Sequence, residues 1–589
     1  MTEMVLLMLQ KKVKNFFKEE TIGYLSEFVP RSVKVLKSGY SQKNFFADLY
    51  AGITVAIIAL PLAMALAIAS GVGPERGLYT AIIAGFLISA LGGTRRQIGG
   101  PTGAFVVIVL GIVQQYGYDG LATATFMAGF ILLILGFAGF GKLIKFIPYP
   151  VTTGFTSGIA VLIATSQVKD FFGLKFKEMP TKFLDKWFVF YDYANTFNLY
   201  AILTGVSSLA LLIYIRKTHP KIPSSIVVVV LTSSIVSFFN LPVDTVGSIF
   251  GNIPNMLPAP SFSWFNLEKA QHLIPEATTI AFLAAIESLL SAVVADGMTA
   301  DRHDSNTELV GQGFANIFSV IFGGIPATGA IARTAANIKA GAHTPVAGMI
   351  HALTLLVFML LLAPLAGKIP LPCLAAMLIM VAWNMSEFDH FRYLLRAPRS
   401  DVIVLLTSFL LTVLVDLTVA VEVGIVMASL LFMKRMSDVS EAVTSAHLFD
   451  EDPENVLKSQ NDQQVEPRKF PDGVEAYQMT GPFFFGVVDR LKHVLDSIEK
   501  TPKVFILRMR SVPVIDATGI NALRELYLTC KRQHSVLVLA GVQRQVERSL
   551  KNIGLWYDIG TENIVVNTDA AVERAEVIIG MCVVPSRPK

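Results

Sequence analysis

The sequence predicts an α-helical polytopic membrane protein with fourteen segments in a seven-plus-seven inverted repeat that includes two half-helices, followed by a C-terminal α/β domain. Three observations predict this fold class. The 589 residues are 53% hydrophobic and only 16% charged, whereas soluble domains average about 25% charged residues. A Gly- and Pro-rich motif occurs once in each half of the apolar region. After Arg435 the composition changes abruptly to that of a soluble domain.

The apolar region, residues 48–435, contains the fourteen predicted segments. A full span needs roughly 20 apolar residues, and the third and tenth segments are shorter. The predicted cores are 50–70, 77–93, 102–115, 121–139, 151–168, 198–215, 222–239, 277–296, 308–322, 328–340, 346–365, 371–385, 401–417 and 420–434. The repeats cover about 48–240 and 276–435. Because each repeat has an odd number of segments, the second is inverted relative to the first.

The repeated motif marks the two short segments. Residues 99–105 read Gly-Gly-Pro-Thr-Gly-Ala-Phe, and residues 323–331 read Gly-Gly-Ile-Pro-Ala-Thr-Gly-Ala-Ile. Matched interruptions in the two halves of a hydrophobic protein indicate the binding site of a transporter. The N-termini of the half-helices present unpaired N–H groups and positive dipole ends, which suit an anion.

Small residues at both half-helix starts are the candidate substrate-binding residues, because they allow a ligand to approach the backbone N–H groups closely. They are Thr102, Gly103, Ala104, Phe105, Thr328, Gly329 and Ala330. Arg333 lies one turn into the second half-helix, where a guanidinium attracts an anion. The alternative is that Arg333 pairs with a carboxylate or extends toward the membrane surface.

Glu287 is the candidate ion-coupling residue, together with Ser291. Glu287 lies in the middle of the eighth segment, and a charged, unpaired carboxylate inside a membrane costs several kcal/mol. Ser291 follows one turn later on the same helical face. The two residues either bind a sodium ion, or the carboxyl takes up a proton. A third reading is a buried glutamate bonded to the backbone of a broken helix.

Charge distribution predicts the topology. Lys and Arg cluster at 95–96, 142–145, 216–221, 392–399 and 434–435, all on the side of the N-terminus, so both termini are expected in the cytoplasm. Segment 1–47 contains an amphipathic stretch with Lys11, Lys12, Lys14 and Lys18, which we expect on the cytoplasmic membrane surface. The three cysteines form no disulfide framework or zinc motif. We expect no enzyme activity, no cofactor, no metal and no nucleic-acid partner.

The C-terminal part is predicted as a polar linker at 436–469 and an α/β domain at 470–589. Residues 474–479, 503–509 and 535–540 are strand-like, and 486–499, 518–533 and 542–553 are candidate helices. Asp516 and Thr518 lie at a strand-to-helix turn and are candidate regulatory residues. Asp516 is expected to cap the helix, either as a simple capping turn or as part of a regulated site.

These motifs resemble the SulP family of anion transporters (solute carrier family 26) along nearly the whole chain. Residues 74–79, Pro-Glu-Arg-Gly-Leu-Tyr, are similar to the family's Pro-x-Tyr-Gly-Leu-Tyr signature, with Arg76 as a departure. The C-terminal domain resembles a STAS domain, in which Asp516-Ala517-Thr518-Gly519 matches the Asp-Ser-Ser-Gly loop. That loop is phosphorylated in related bacterial anti-sigma antagonists.

The resemblance implies a core domain that moves against a gate domain, an anion held between the two half-helices, and a homodimer. Phe105 and Arg333 match positions that line the anion pocket in relatives. Glu287 and Ser291 match the sodium-binding Asp and Thr of cyanobacterial bicarbonate transporters. The changes to Glu and Ser favour a proton as the coupling ion, with sodium as the alternative.

Within the family, residues 285–290, 296–299, 330–333 and 380–387 resemble bacterial C4-dicarboxylate transporters. The resulting hypothesis is a proton-coupled transporter of succinate, fumarate and aspartate by alternating access, in the bacterial cytoplasmic (inner) membrane. The alternatives are sulfate or bicarbonate transport, with sodium or proton coupling, a channel-like anion conductor, and a sensor whose STAS domain signals to a cytosolic protein partner.

Overall fold

The structure is a computed structural model that describes residues 28–142, 148–176, 179–180, 182–219, 223–415, 417–439, 441–444, 470–484 and 502–580. The predicted amphipathic stretch with Lys11 to Lys18, the predicted helix 486–499 and most of the predicted linker lie outside these residues. The chain divides into two compact units, Met1–Val426 and Met427–Lys589. Each unit is described by itself.

Helices account for almost all of the described apolar region, and seven of them are long and apolar enough to cross a membrane. In chain order they are α1 (Arg31–Lys37), α2 (Gln42–Ala69), α3 (Pro74–Leu91), α4 (Val106–Phe137), α5 (Tyr149–Ser166), α6 (Val168–Phe172), α7 (Phe183–Asp192), α8 (Leu199–Thr218), α9 (Ser224–Phe238), α10 (Val246–Phe250), α11 (Leu267–His272), α12 (Ile274–Thr299), α13 (Ser305–Ile321), α14 (Ile331–Lys339), α15 (Val346–Ala366), α16 (Leu371–Met385), α17 (Phe388–Leu394), α18 (Arg399–Leu414) and α19 (Leu417–Val439).

The prediction of fourteen segments with two half-helices is confirmed. Gly117 interrupts α4 with a φ of 70° and a ψ of −176°, a backbone conformation that favours glycine. The break divides α4 into the arms 106–116 and 118–137, which are the predicted third and fourth segments. The tenth segment, α14, has only nine residues, too few to cross a bilayer.

Two short strands join the half-helices in the middle of the first unit. Strand β1 (Gly99–Gly100) precedes the first half-helix, β2 (Thr328–Gly329) precedes the second, and the two strands pair antiparallel. The Ala330 amide also donates to the Ile98 carbonyl at 2.8 Å. Because each strand runs directly into a half-helix, this pairing brings both helix N-termini close to one point.

The long helices form two packed groups. The first helix group contains α2, α3, α4, α12, α13, α14 and α15, and the second contains α5, α8, α9, α16, α18 and α19. Glycines allow close packing within each group. A Cβ on Gly77 would lie 2.0 Å from the Ala63 carbonyl oxygen, and one on Gly154 would lie 2.5 Å from the Leu405 carbonyl oxygen. Helix α2 packs against α16 and α9, which joins the two groups.

The second unit contains a five-stranded sheet, whose strands in order are β3 (Glu441–Thr444), β4 (Val474–Thr480), β5 (Val504–Ser511), β6 (Val536–Ala540) and β7 (Ile564–Val565). Strands β4 to β7 pair in parallel, and β3 pairs antiparallel with β4. The helices of this unit are α20 (Ala517–Arg532), α21 (Arg544–Ile553), α22 (Leu555–Ile559) and α23 (Thr568–Ile579).

The described residues of the predicted linker 436–469 have regular secondary structure, which is not predicted from the sequence. The first residues of this linker continue α19 to Val439, and residues 441–444 form the edge strand β3. Four residues are too few for a clear alternation of polar and apolar positions, so the strand is not visible in the sequence. Within the second unit, burial raises the pKa of the Cys530 thiol to about 11. This cysteine is therefore a packing residue of the domain core rather than a reactive thiol.

Candidate functional site

A cavity of about 190 Å³ lies between the two helix groups. The first helix group supplies the starts of both half-helices and one face of α2. The second group supplies Thr156 from α5 and the C-terminal end of α16. The predicted residues among those lining the cavity are Thr102, Gly103, Ala104, Glu287, Ala330 and Arg333. Elements that are distant in the sequence therefore meet where the repeated motif predicts a binding site.

The N-termini of both half-helices lie at this cavity. Helix α14 begins at Ile331 without a side-chain cap, and its first intrahelical bond runs from the Thr334 amide to the Ala330 carbonyl at 2.8 Å. The amides of residues 331–333, all of which line the cavity, therefore have no intrahelical acceptor. Gly103 and Ala104 open the first half-helix in the same way, again without a side-chain cap. Paired helix N-termini of this kind favour an anion.

Arg333 places a buried guanidinium beside these amides. The side chain is only 3% exposed, and its Nη2 donates to the Pro101 carbonyl oxygen. Its Nη1 is also buried and has no hydrogen-bond partner among the described residues. The Oγ1 of Thr102, on the opposite half-helix, is likewise buried without a partner. Unpartnered buried polar atoms are costly, so Arg333 and Thr102 are candidates for a further polar partner at the starts of the two half-helices.

Glu287 faces the same cavity from α12 and is 6% exposed. Within the described parts of the chain, its carboxyl group has no hydrogen bond and no ion pair, and it is not paired with Arg333. The structure therefore does not support the third interpretation of Glu287, a glutamate hydrogen-bonded to the backbone of a broken helix. A buried carboxylate without a partner favours its neutral, protonated form or the binding of a cation.

Four predicted residues do not line the cavity. Phe105 is buried in the hydrophobic core beside it. The Thr328 hydroxyl donates to the Ala284 carbonyl at 3.0 Å, and Gly329 pairs with Gly99 in the short sheet. Ser291 donates to the Thr334 Oγ1 at 3.2 Å. The i, i+4 spacing correctly put Ser291 near Glu287 along the helix, but its hydroxyl is used to hold α12 against α14.

The structure also adds residues that the sequence did not single out as site residues. Thr156, Asn384, Met385 and Glu387 line the cavity from the second helix group. Glu387 has a φ of 41° and contacts His390 Nδ1 with its Oε2 at 3.2 Å. It follows directly after an apolar segment, where a charged residue is usual at a membrane surface. For this reason the sequence alone does not indicate that Glu387 lines the cavity.

In the second unit, Asp516 caps α20, and its Oδ1 accepts from the Gly519 amide at 2.7 Å. Thr518 lies in the first turn of this helix and is exposed. The capping part of the prediction therefore matches the structure, and phosphorylation of Thr518 stays a prediction.

Comparison with known proteins finds a matching family or domain for each of the two parts of the chain. The sulfate permease family matches residues 45–408, and the STAS domain matches residues 468–572. The chain is 43% identical over 527 residues to the putative sulfate transporter YvdB of Bacillus subtilis, covering 89% of this chain and 97% of the relative. It is 30% identical over 566 residues to the bicarbonate transporter BicA of Picosynechococcus, covering 90% and 95% of the two chains.

Two solved structures share the fold. Murine Slc26a9, an anion transporter, aligns with a TM-score of 0.83 at 19% identity, over 94% of this chain and 95% of that chain. The transmembrane domain of a cyanobacterial BicA aligns with a TM-score of 0.60 at 30% identity, over 65% and 98%. With the inverted repeat, the two half-helices and the C-terminal domain, these matches mean that the chain belongs to the sulfate permease (SulP) family of multi-pass membrane anion transporters.

Proposed function

We propose that the protein is a proton-coupled symporter of small dicarboxylates, with C4 compounds such as succinate, fumarate and aspartate as substrates. The observation that carries the proposal is the composition of the cavity. It combines an arginine with an unpartnered nitrogen, two sets of free backbone N–H groups and an unpaired buried glutamate. The first two features bind negative charge, and the third takes up a proton.

The lining of the cavity supports a dicarboxylate. Both half-helices contribute donors to the cavity, and we propose that each set of donors binds one carboxylate of the substrate. Leu62, Leu66, Val381 and Met385 supply apolar surface to the same cavity, which suits a short carbon chain. Sulfate and bicarbonate have no such chain and gain nothing from this surface.

Glu287 supports proton coupling through the charge of the site. An anion that enters a cavity already containing ionised Glu287 meets a like charge in a medium of low polarity. Protonation of Glu287 removes that repulsion, so the anion and the proton favour each other's binding. The loaded site is then closer to neutral, which lowers the cost of moving it through the membrane.

The position of the cavity supports alternating access. Its walls come from two separately packed helix groups, so a movement of one group against the other opens the cavity to one side and closes it to the other. Inverted-repeat transporters generally work in this way. We further propose a homodimer in the bacterial inner membrane, with both termini cytoplasmic and the STAS domain available to a cytosolic protein partner.

Sulfate or bicarbonate is the second candidate substrate, because the relatives above are named as sulfate and bicarbonate transporters. Sodium is the second candidate coupling ion, because the hydroxyl of Ser288, the neighbour of Glu287 on α12, lies 2.7 Å from the hydroxyl of Thr328 on β2. A sodium ion prefers such oxygen ligands over nitrogen.

The test is uptake of radiolabelled succinate into proteoliposomes that contain the purified full chain, with and without an inward proton gradient. We expect gradient-driven accumulation that fumarate inhibits and sulfate does not. Accumulation of sulfate or bicarbonate in the same vesicles, without succinate uptake, would replace the substrate. Accumulation that follows a sodium gradient instead would replace the coupling ion. Large uncoupled currents in planar bilayers would favour a channel.

A further inference from the structure

A second, separate groove opens on the outer surface of the first unit, between α8 and α16. Its volume is about 500 Å³. The walls are apolar and consist of Leu209, Ile213, Ile379 and Met380. Ile213 is 50% exposed, as expected for a side chain that faces lipid rather than protein. The groove is therefore suited to an acyl chain.

One end of this groove is basic. Arg216 and Lys217 are in the last turn of α8, and Asn384 is near the C-terminal end of α16. Both helices therefore end at the same side of the membrane, which the Lys and Arg distribution predicts to be cytoplasmic. Trp383, also at this end, is 66% exposed. Tryptophan is enriched at the level of lipid head groups, so the basic end of the groove lies at head-group depth.

The two cations have no acidic partner among the described residues. Within the described part of the chain, the side-chain partner of Arg216 is Asn384, to whose Oδ1 its Nη1 donates at 3.2 Å. Glu387, the nearest acidic residue along α16 and α17, pairs with His390. Two basic side chains without carboxylates, above an apolar groove, are complementary in charge and polarity to a lipid phosphate with its acyl chain.

We propose that this groove binds an anionic phospholipid, with the phosphate on Arg216 and Lys217 and one acyl chain along Leu209 and Ile379. The charge decides between the possible occupants. A zwitterionic lipid gains little from two cations, and a helix of a second copy needs an acidic residue at this depth. An anionic lipid satisfies both cations and fills the apolar groove at once.

The site also adjoins the substrate cavity. Asn384 lines the cavity as well as the groove, and Arg216 holds its amide oxygen. A phosphate that draws Arg216 away would free Asn384 to move on the cavity side. This consequence rests on the proposed function, whereas lipid binding itself does not.

The test is native mass spectrometry of the purified full chain with phosphatidylglycerol or phosphatidylcholine, together with melting temperatures in the same mixtures. We expect wild type to retain phosphatidylglycerol preferentially and to be stabilised by it. The double variant Arg216→Gln, Lys217→Gln should bind it about thirtyfold more weakly, since the phosphate loses its two direct partners in the groove and each contributes about fivefold to sixfold in affinity. The matched control is Arg392→Gln, Arg396→Gln, which removes two exposed cations outside the groove and should behave as wild type.

A second variant tests the groove without touching the charges. Ile213→Trp fills the groove at a half-exposed position and should also reduce phosphatidylglycerol retention, even if the double variant does not fold. Equal retention of both lipids by wild type would overturn the proposal. So would a loss in the control as large as that in the double variant, or unchanged binding by Ile213→Trp. A change in oligomeric state with unchanged lipid binding would assign the groove to a second copy instead.

Discussion

Arg333 and Glu287 line one cavity, and they do not form an ion pair with each other. A salt bridge between them would neutralise the site, and the structure has none. Each residue is therefore free for a separate task, the arginine for the anion and the glutamate for the coupling ion. These tasks can be separated by substitution, because one affects affinity and the other affects the response to a gradient.

Arg333→Gln should weaken binding of the transported anion by roughly tenfold to a hundredfold, because a hydrogen bond to a charged group contributes about 1.5–3 kcal/mol. Titration of the purified protein with succinate measures this affinity. Lys339→Gln is the matched control, since Lys339 is on the same helix but is exposed and outside the cavity. Equal affinities of Arg333→Gln and the control would remove Arg333 from the binding site.

Glu287→Gln should abolish accumulation driven by a proton gradient at every pH, because glutamine cannot take up and release a proton. Exchange of internal for external substrate should persist, since the neutral amide resembles the protonated acid in shape. Proteoliposome uptake and counterflow measure the two activities. Glu268→Gln, at an exposed position of helix α11, is the control with the same chemical change. Full gradient-driven accumulation by Glu287→Gln would assign coupling to another group.

The two charged residues were predictable because charge inside a long apolar run is costly and therefore rare. Glu387 was not predictable, since the same residue type at the end of an apolar run is ordinary. The roles of Thr328 and Ser291 were also hidden from the sequence. Their hydroxyls bond within the first helix group, and such pairing depends on how α12 packs against α14.

The half-helices and their paired strands form the element on which the site depends. The strand pairing requires Gly329, where a Cβ would lie 1.6 Å from the Gln97 Nε2. Gln97 is 3% exposed and is therefore confined by its neighbours. The glycine thus permits the crossing of two chain segments that are more than 200 residues apart in the sequence.

Gly329→Ala should lower the stability of the purified chain by about 1–3 kcal/mol, the usual cost of an overpacked core. Thermal unfolding in detergent measures it. Adding Gln97→Ala should restore much of the loss, because it removes the atoms that clash, and the Gln97 amide has no hydrogen-bond partner among the described residues. Gly297→Ala is the control, with nothing within 4 Å of the new Cβ. If the double variant is not rescued, the space beside Gln97 is not what restricts residue 329 at the pairing of β1 and β2.

Elements were largely predictable, because short apolar segments with Gly and Pro at their starts differ clearly from full spans. The break at Gly117 was visible only as a gap between two segments, since a single glycine within a helix is common. The strands β1 and β2 were not predictable. Each has two residues, and their pairing exists only because the inverted repeats bring them face to face.

At the scale of the whole first unit, function depends on how two helix groups meet. The sequence predicted the inverted halves, but each helix group takes members from both halves. The cavity is therefore made of residues from both repeats, and its shape depends on the fit between the groups. For this reason the substrate cannot be derived from the motifs, although the class of anion transporter can.

Gly103 is where this fit can be tested, because this cavity residue of the first helix group lies next to Ile163 and Met385 of the second. A Cβ there would lie 2.8 Å from the Met385 Sδ and 3.1 Å from the Ile163 Cδ1. Gly103→Val should therefore wedge the groups apart and slow transport about tenfold or more, since overpacking costs about 1–3 kcal/mol.

Initial uptake rates in proteoliposomes measure this effect, with thermal unfolding of each variant as the check on folding. Gly111→Val is the matched control, because Gly111 is in the same arm of α4 and a Cβ there meets nothing within 4 Å. Met385→Ala should relieve Gly103→Val by removing the sulfur that the valine meets. If Gly103→Val transports at the rate of the control, the two groups do not need to close at this glycine, and the movement must occur along another surface, such as that between α2 and α9.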